Sequence, residues 1–255
     1  MEFDKRKVFW WSPKPFLGLK IFQKQNVGDF LGPMLVQKIL QTQGLNINDI
    51  KKEKLLSIGS VLHFANDNDT VWGSGVNGKV NPDFHKFKTL DIRAVRGPLT
   101  GEFLKKRGLI DPEVYGDPGI LVADYWKRSR PVEKNKIVFI PHMRDKVNLG
   151  NNIKILSPLT EFETFLTEIQ TAEKVISSSL HGVIIAESYG IPAVLFENHS
   201  GETAFKYEDY YRGTGRETFK AYSDINAAFK ADPAVPDFST VKRKLLAKFP
   251  WDIWA

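Results

Sequence analysis

Short, almost wholly apolar runs recur along the chain, each followed by glycine or a turn residue and then by apolar positions at three- and four-residue spacing. Parallel strands joined by crossover helices read this way, because a parallel strand is covered on both faces and needs no polar side. The pattern predicts strands at Leu55–Gly59, Thr70–Gly75, Ile92–Val95, Ile137–Ile140, Lys174–Ser177 and Ala193–Phe196. Helical spacing fits Gly28–Gln41, Gly97–Arg107, Leu159–Thr171 and His181–Tyr189. Glycine or proline closes two of these: Gly108 follows Arg107, and Gly190-Ile191-Pro192 follows Tyr189.

The stretch from Lys127 to Asn135 is charged, contains proline and has no apolar periodicity, so it reads as a linker between two α/β halves. The expected organisation is a first Rossmann-like domain over residues 1–126, a second over 136–230, and a binding cleft between them. From 237 to 255 the chain turns basic and amphipathic, with Val241, Leu245, Leu246 and Phe249 at helix spacing beside Lys242, Arg243, Lys244 and Lys248. A terminal helix packed across both halves is expected; Trp251 and Trp254 make a helix lying on a membrane surface the alternative.

Composition narrows the function. With 255 residues, 42% of them apolar and 12% aromatic, the chain can bury a substantial core. Cysteine is absent, which excludes disulfides, thiolate nucleophiles and cysteine metal sites and suits a reducing compartment. Met1–Lys7 does not lead into a secretory apolar stretch and no window approaches ~20 continuous apolar residues, so a cytoplasmic protein is expected, with peripheral attachment at the inner membrane face left open. The net charge of +6 suits an anionic partner, yet zinc-ligand pairs, an aromatic RNA-binding consensus and a basic tail are all missing, so no nucleic acid is expected. His63, His85 and His199 lack metal-like spacing, and neither a dinucleotide glycine fingerprint nor a phosphate loop is present.

Chemistry concentrates in Ser177-Ser178-Ser179-Leu180-His181-Gly182, which follows a predicted strand and opens a predicted helix. Backbone N–H groups at such a junction favour phosphate or carboxylate, and a neighbouring anion would raise the pKa of His181 and keep it protonated as a general acid. The bland alternative is that the serines cap the helix and His181 packs. Arg93 and Arg96 end a strand just before a helix with Pro98 in its first turn, where two arginines three apart suit an anion clamp if both face the cleft. Asn26, Gly28 and Asp29 supply a helix cap and a close backbone approach; Gly59, Ser60, Gly73, Ser74 and Gly75 place small residues at strand ends. Asp117 in a Gly-Asp-Pro-Gly turn, His142 after a strand, and Lys206 and Tyr210 in a charged aromatic run complete the candidate lining. An aromatic surface helix is the plain reading of that last run.

Taken in order, Asn26-Val27-Gly28-Asp29, Gly59-Ser60, Trp72-Gly73-Ser74-Gly75, Arg93–Thr100, Gly116-Asp117-Pro118, Pro141-His142, Ser177–Gly182 and Lys206 with Asp209-Tyr210-Tyr211 resemble the polysaccharide pyruvyl transferase family. The resemblance implies a GT-B-like fold and transfer of a pyruvate unit from phosphoenolpyruvate, as co-substrate and without a cofactor or metal, onto two hydroxyls of a sugar, free or lipid-linked. It implies that His181 is the catalytic acid or base, that Arg96 contacts the donor, and that Leu180 lines the donor site. Many relatives carry arginine where this chain has Ser179, which leaves Arg93, Lys206, or Ser178 and Ser179 with the helix N-terminus to hold the phosphate. Two rivals share the expected architecture: a glycosyltransferase using a nucleotide sugar, and a sugar-binding protein without catalysis.

Overall fold

The computed structural model describes residues 3–12, 25–51, 54–145, 149, 153–197 and 201–254. Two parallel sheets organise the chain. The first sets β1 (Val8–Phe9), β2 (Leu55–Leu56), β3 (Thr70–Trp72) and β4 (Asp91–Ala94) side by side in chain order. The second contains β5 (Ile137–Ile140), β6 (Lys154–Ile155), β7 (Lys174–Ser177), β8 (Ala193–Phe196) and β9 (Ala221–Tyr222), in the order β6-β5-β7-β8-β9. The chain steps outward from β5 to β6 on one side and then to β7 on the other. The gap between β5 and β7 is therefore a topological switch point, where open parallel sheets form a crevice beyond the strand C-termini.

The buried strands follow the predicted runs: β5, β7 and β8 have the predicted bounds, and β8 is buried at all four positions. β2 and β3 are shorter than predicted, each followed by a glycine turn, and β4 has the predicted length shifted by one residue. Gly59 and Gly73 adopt φ of +104° and +92°, a conformation open to glycine and costly for residues with a Cβ. The chain thus turns away at the C-terminal ends of β2 and β3. β1, β6 and β9 have two residues each and had no predicted strand; β1 lies in the apolar run Val8-Phe9-Trp10-Trp11, while β6 and β9 have no such run.

Helices α1 (Val27–Gln41), α2 (Pro98–Lys106), α4 (Phe162–Gln170) and α5 (Leu180–Ser188) match the predicted helical spans to within a few residues. Two others, α3 (Val122–Tyr125) and α7 (Ile225–Lys230), lacked a predicted span, and α6 (Phe205–Gly213) covers the charged aromatic run for which a surface helix was the plain reading. One apolar core joins Leu31 and Leu35 of α1, Ile120 of a tight turn after Asp117, and Val183 and Ile184 of α5, so it runs through both halves of the sequence. Residues 127–135 form an exposed segment without regular structure.

The C-terminal helix α8 (Ser239–Ala247) packs on the N-terminal half. Trp72 Nε1 donates to the Leu245 carbonyl at 2.9 Å, Trp254 Nε1 to the Ile47 carbonyl at 3.3 Å, and the Lys51 amide to the Ile253 carbonyl at 2.8 Å. Phe249 meets the Trp72 ring edge to face at 5.0 Å. This corrects the membrane-surface alternative: Leu245, Phe249 and Trp254 are buried inside the protein, which leaves the helix without the apolar face and aromatic anchor that insertion requires. No helix among the described residues is long and apolar enough to cross a membrane. Leu245→Ala, which empties a fully buried site, should lower stability by about 2–5 kcal/mol in denaturant unfolding.

Candidate functional site

The C-terminal ends of β5 and β7 deliver His142 and Ser177–His181 to the switch point, and the two segments are tied together there. Ser178 Oγ accepts from the His142 amide at 2.8 Å and donates to Asp145 at 2.6 Å; Ser177 Oγ donates to the Ile140 carbonyl at 2.8 Å. The serines thus hold the strand ends in register. Ser178 is fully buried and does not line the cavity, which corrects its expected donor contact. Ser179 caps α5 without a side-chain hydrogen bond and faces a cavity of about 190 Å³ together with Leu180 and His181.

The imidazole of His181 lies against the start of α1. A Cβ on Gly28 would sit 2.4 Å from Nδ1, so only glycine allows this approach. Gly28 is therefore the seat of the ring. Nε2 is buried without a hydrogen-bond partner, and burial together with Lys206, Arg96 and His142 lowers the pKa from 6.5 to about 3. The protein's own groups hold His181 neutral near pH 7, and an anion placed beside it would raise its pKa.

Asn26 caps α1 by accepting from the Asp29 amide at 3.3 Å. Pro33, one turn on, has no N–H for the Asp29 carbonyl. The Asp29 carboxyl lines the cavity, and burial raises its pKa to about 7 against the opposing pull of Lys206. A carboxyl that titrates near neutrality in a cavity is equipped for proton transfer. The sequence presented Asp29 as part of a cap and close-approach motif; its titration comes from burial and is invisible there.

Arg96 leaves the end of the first sheet and is almost entirely buried. Nε pairs with Asp209 at 3.0 Å, one terminal nitrogen donates to Ser60 Oγ at 2.6 Å and the other to the Val76 carbonyl at 2.9 Å. Gly75 exists for this: a Cβ there would lie 2.3 Å from the guanidinium carbon. Ser74 Oγ bonds the Gly59 carbonyl at 3.0 Å, and a Cβ on Gly73 would strike Pro118, so these small residues brace the Arg96 wall from behind. Gly59, Ser60 and Arg96 reach the cavity; Gly73, Ser74 and Gly75 do not.

Three further expectations are corrected. Arg93 does not face the cavity: it is held by Asp91 at 2.5 and 2.7 Å and by Asp252 at 2.9 Å, because β4 turns its side chain toward the C-terminal segment. Asp117 is fully buried, donating nothing to the cavity; Oδ1 accepts from the Gly119 amide at 2.9 Å, and burial raises its pKa to about 6. Tyr210 is also fully buried, its hydroxyl on Glu187 at 2.6 Å, and with Tyr207 and Tyr211 it makes α6 a core helix rather than a surface one.

Lys206, in the first turn of α6, does reach the cavity, where Glu202 meets it at 2.9 Å. Glu202 also pairs with Lys79 and lies 3.7 Å from His142 Nε2. Lys206 and Lys79 hold the Glu202 carboxyl down at about 2, against the effect of burial, and burial lowers His142 to about 4. Lys79, Glu202 and Arg144 were missed by sequence reasoning, as was an aromatic side of the cavity formed by Trp11, His63 and Phe64. Asn77-Gly78-Lys79, two residues past Gly75, was the readable signal. His199 lies outside the described residues. No group of three or more metal-ligating side chains occurs among the described residues.

The profile of the polysaccharide pyruvyl transferase family matches residues 26–200, a span that begins at the cap of α1 and includes the β5 and β7 ends, Arg96 and His181. The chain belongs to that family. It is 28% identical over 209 residues to a succinoglycan biosynthesis protein, ExoV, of Rhizobium meliloti (strain 1021), covering 76% of this chain and 63% of that protein. It is 29% identical over 188 residues to the uncharacterized protein L143 of Acanthamoeba polyphaga mimivirus, covering 66% of this chain and 63% of the viral protein. The chain thus spans less than two thirds of the length of both relatives. No solved structure matches it.

Two outcomes test this geometry. In an imidazole NMR titration of the folded protein, His181 should stay neutral until the pH approaches 3, whereas the unfolded chain protonates near 6.5. The stability tied to this neutral ring is full above pH 6.5 and is lost as the pH falls toward 3, because the unfolded state binds the extra proton. Gly28→Ala should displace the ring and shift its resonances while the far-ultraviolet circular dichroism is retained.

Proposed function

We propose that the protein is a pyruvyl transferase that moves the pyruvate unit of phosphoenolpyruvate onto two hydroxyls of a sugar in polysaccharide biosynthesis. The observation that carries this reading is the placement of His181 and Asp29, one group neutral and one titrating near pH 7, in a single cavity with Arg96 and Lys206. Family membership supports pyruvyl transfer over nucleotide-sugar chemistry on the same architecture. The two parallel sheets support the GT-B-like arrangement that the family resemblance implies.

Phosphoenolpyruvate brings a phosphate and a carboxylate. In a cavity whose own cations push the His181 pKa down, those charges raise it, so that His181 takes up a proton and its N–H breaks as the new C–H bond forms at the methylene carbon. Protonation of that carbon leaves a cationic centre at C2, which a sugar hydroxyl attacks. A second hydroxyl then displaces phosphate, so both hydroxyl protons leave as the ketal and inorganic phosphate form. Asp29 is suited to accept the first hydroxyl proton, and Arg96 and Lys206 to hold the donor's negative charge. No step draws on a redox cofactor or a metal.

Incubating the protein with phosphoenolpyruvate and candidate lipid-linked or free oligosaccharides should release phosphate and add roughly 70 Da to the true acceptor, as mass spectrometry reads it. His181→Ala should abolish the product with the fold intact; full activity would overturn the assignment. Asp29→Asn should lower kcat by about 10²–10⁴-fold, the range for loss of a proton-transfer group, and remove the limb of the pH–rate profile near pH 7.

A further inference from the structure

Of the two carboxyl groups in the cavity, Asp29 has its charge suppressed by burial, whereas Glu202 is fully ionised and has the wrong sign for a site that receives an anion. Glu202 comes from the segment leading into α6, and its carboxylate meets cations from both halves of the sequence: Lys79 from the loop beyond β3 and Lys206 from α6, with His142 3.7 Å away. The two loops are packed together where these charges meet, since a Cβ on Gly78 would lie 2.3 Å from Thr203 Oγ1 and 2.7 Å from Phe205 Cβ. Glu202, Lys79, Lys206 and His142 all line the same cavity as Arg96 and His181.

Removing Glu202 from this place would take away the carboxylate that pairs with both ammonium groups, one of them only 13% exposed, and leave Lys206 with the field of Asp29, whose charge burial suppresses. Buried charges of like sign are costly, and a carboxylate between them removes that cost. A phosphoryl or carboxylate group of a ligand removes it equally well, and with more charge. Ser179 makes no side-chain cap bond to α5 and carries no charge, so the cations that line the cavity with His181 are Lys79, Lys206, Arg144 and Arg96.

We propose that Glu202 is a built-in occupant of the anion site: its carboxylate holds the position between Lys79 and Lys206 that the phosphoryl or carboxylate group of a ligand takes, and ligands bind by exchange with it. Which ligand does so rests on the pyruvyl-transfer reading, but the exchange itself does not. Before binding, Glu202 keeps the two lysines paired and their field contained. After exchange, the lysines grip the ligand and the displaced carboxylate faces away from them. Affinity for the anion is thereby lowered by the competition, which also eases the release of product phosphate.

Calorimetric titration of inorganic phosphate, phosphoenolpyruvate and uridine diphosphate into wild type and Glu202→Gln tests the exchange. Glu202→Gln should bind phosphate at least about fivefold more tightly, within the usual range of coupling between competing groups, and Lys79→Met and Lys206→Met should each bind it more weakly than wild type. Equal or weaker phosphate binding by Glu202→Gln overturns the proposal, as does the absence of phosphate binding in every form. Should Glu202→Gln not fold, Glu202→Asp, whose shorter side chain cannot span both lysines, should show the same tightening and its failure to do so is equally decisive. If phosphate and uridine diphosphate tighten while phosphoenolpyruvate does not bind, the exchange stands and the pyruvyl-transfer reading falls. If phosphoenolpyruvate turns over normally and no anion tightens, the reverse holds.

Discussion

A buried ion pair between Arg96 and Asp209 is the interaction on which the cavity depends. Its partners are 113 positions apart and almost completely shielded from water, so neither tolerates the loss of the other. Asp209 satisfies more than the arginine, accepting also from the Thr100 amide at 3.0 Å and the Thr100 hydroxyl at 2.7 Å. The carboxylate therefore caps the start of α2 from another helix. Glycine at 97 and 213 lets the backbones close: a Cβ at Gly97 would lie 1.8 Å from the Asp209 carbonyl oxygen, and one at Gly213 would lie 2.2 Å from that of Arg96.

Because α6 is fixed by this pair, everything else it carries is fixed with it. Lys206 stands three residues before Asp209 and enters the cavity on the same face of the helix. Tyr207 donates to the Ser178 carbonyl at 2.9 Å, and Tyr210 joins Glu187, which Arg216 also grips at 2.6 and 3.0 Å. One helix thus bonds the Arg96 wall, the segment holding His181 and the far end of α5. The cavity is assembled by residues whose structural roles leave little freedom, with Glu202 and its lysines as the polar exception.

Much of this was legible in the sequence where local physics decides it. The β5, β7 and β8 runs are short and apolar because both sheet faces are covered, and the serine-rich approach to His181 announces a strand-to-helix junction. Side-chain direction was not legible. Arg93 and Arg96 look equivalent at three-residue spacing, yet one is drawn out to Asp252 and the other inward to Asp209, partners far along the chain. Asp117 and Tyr210 have site-like neighbours in sequence and core positions in space. Lys79 and Glu202 are ordinary charges until the fold sets them together. The α6 aromatic run reads as amphipathic surface because its burial is supplied by α2 and α5, which the local sequence does not contain.

The hydrogen bond from Trp72 to the Leu245 carbonyl spans 173 positions and gives this fold an order of assembly. Trp72 lies on β3, flanked on both sides by strands of the first sheet, and is completely buried in the finished molecule. During synthesis that sheet emerges well before residue 245. Until residues 245–254 are made and dock, the indole donor lacks its partner and the apolar surface destined for Phe249 and Trp254 stays uncovered. The first sheet, whose strands end at Ala94, is consequently completed only after residues 245–254 have been made.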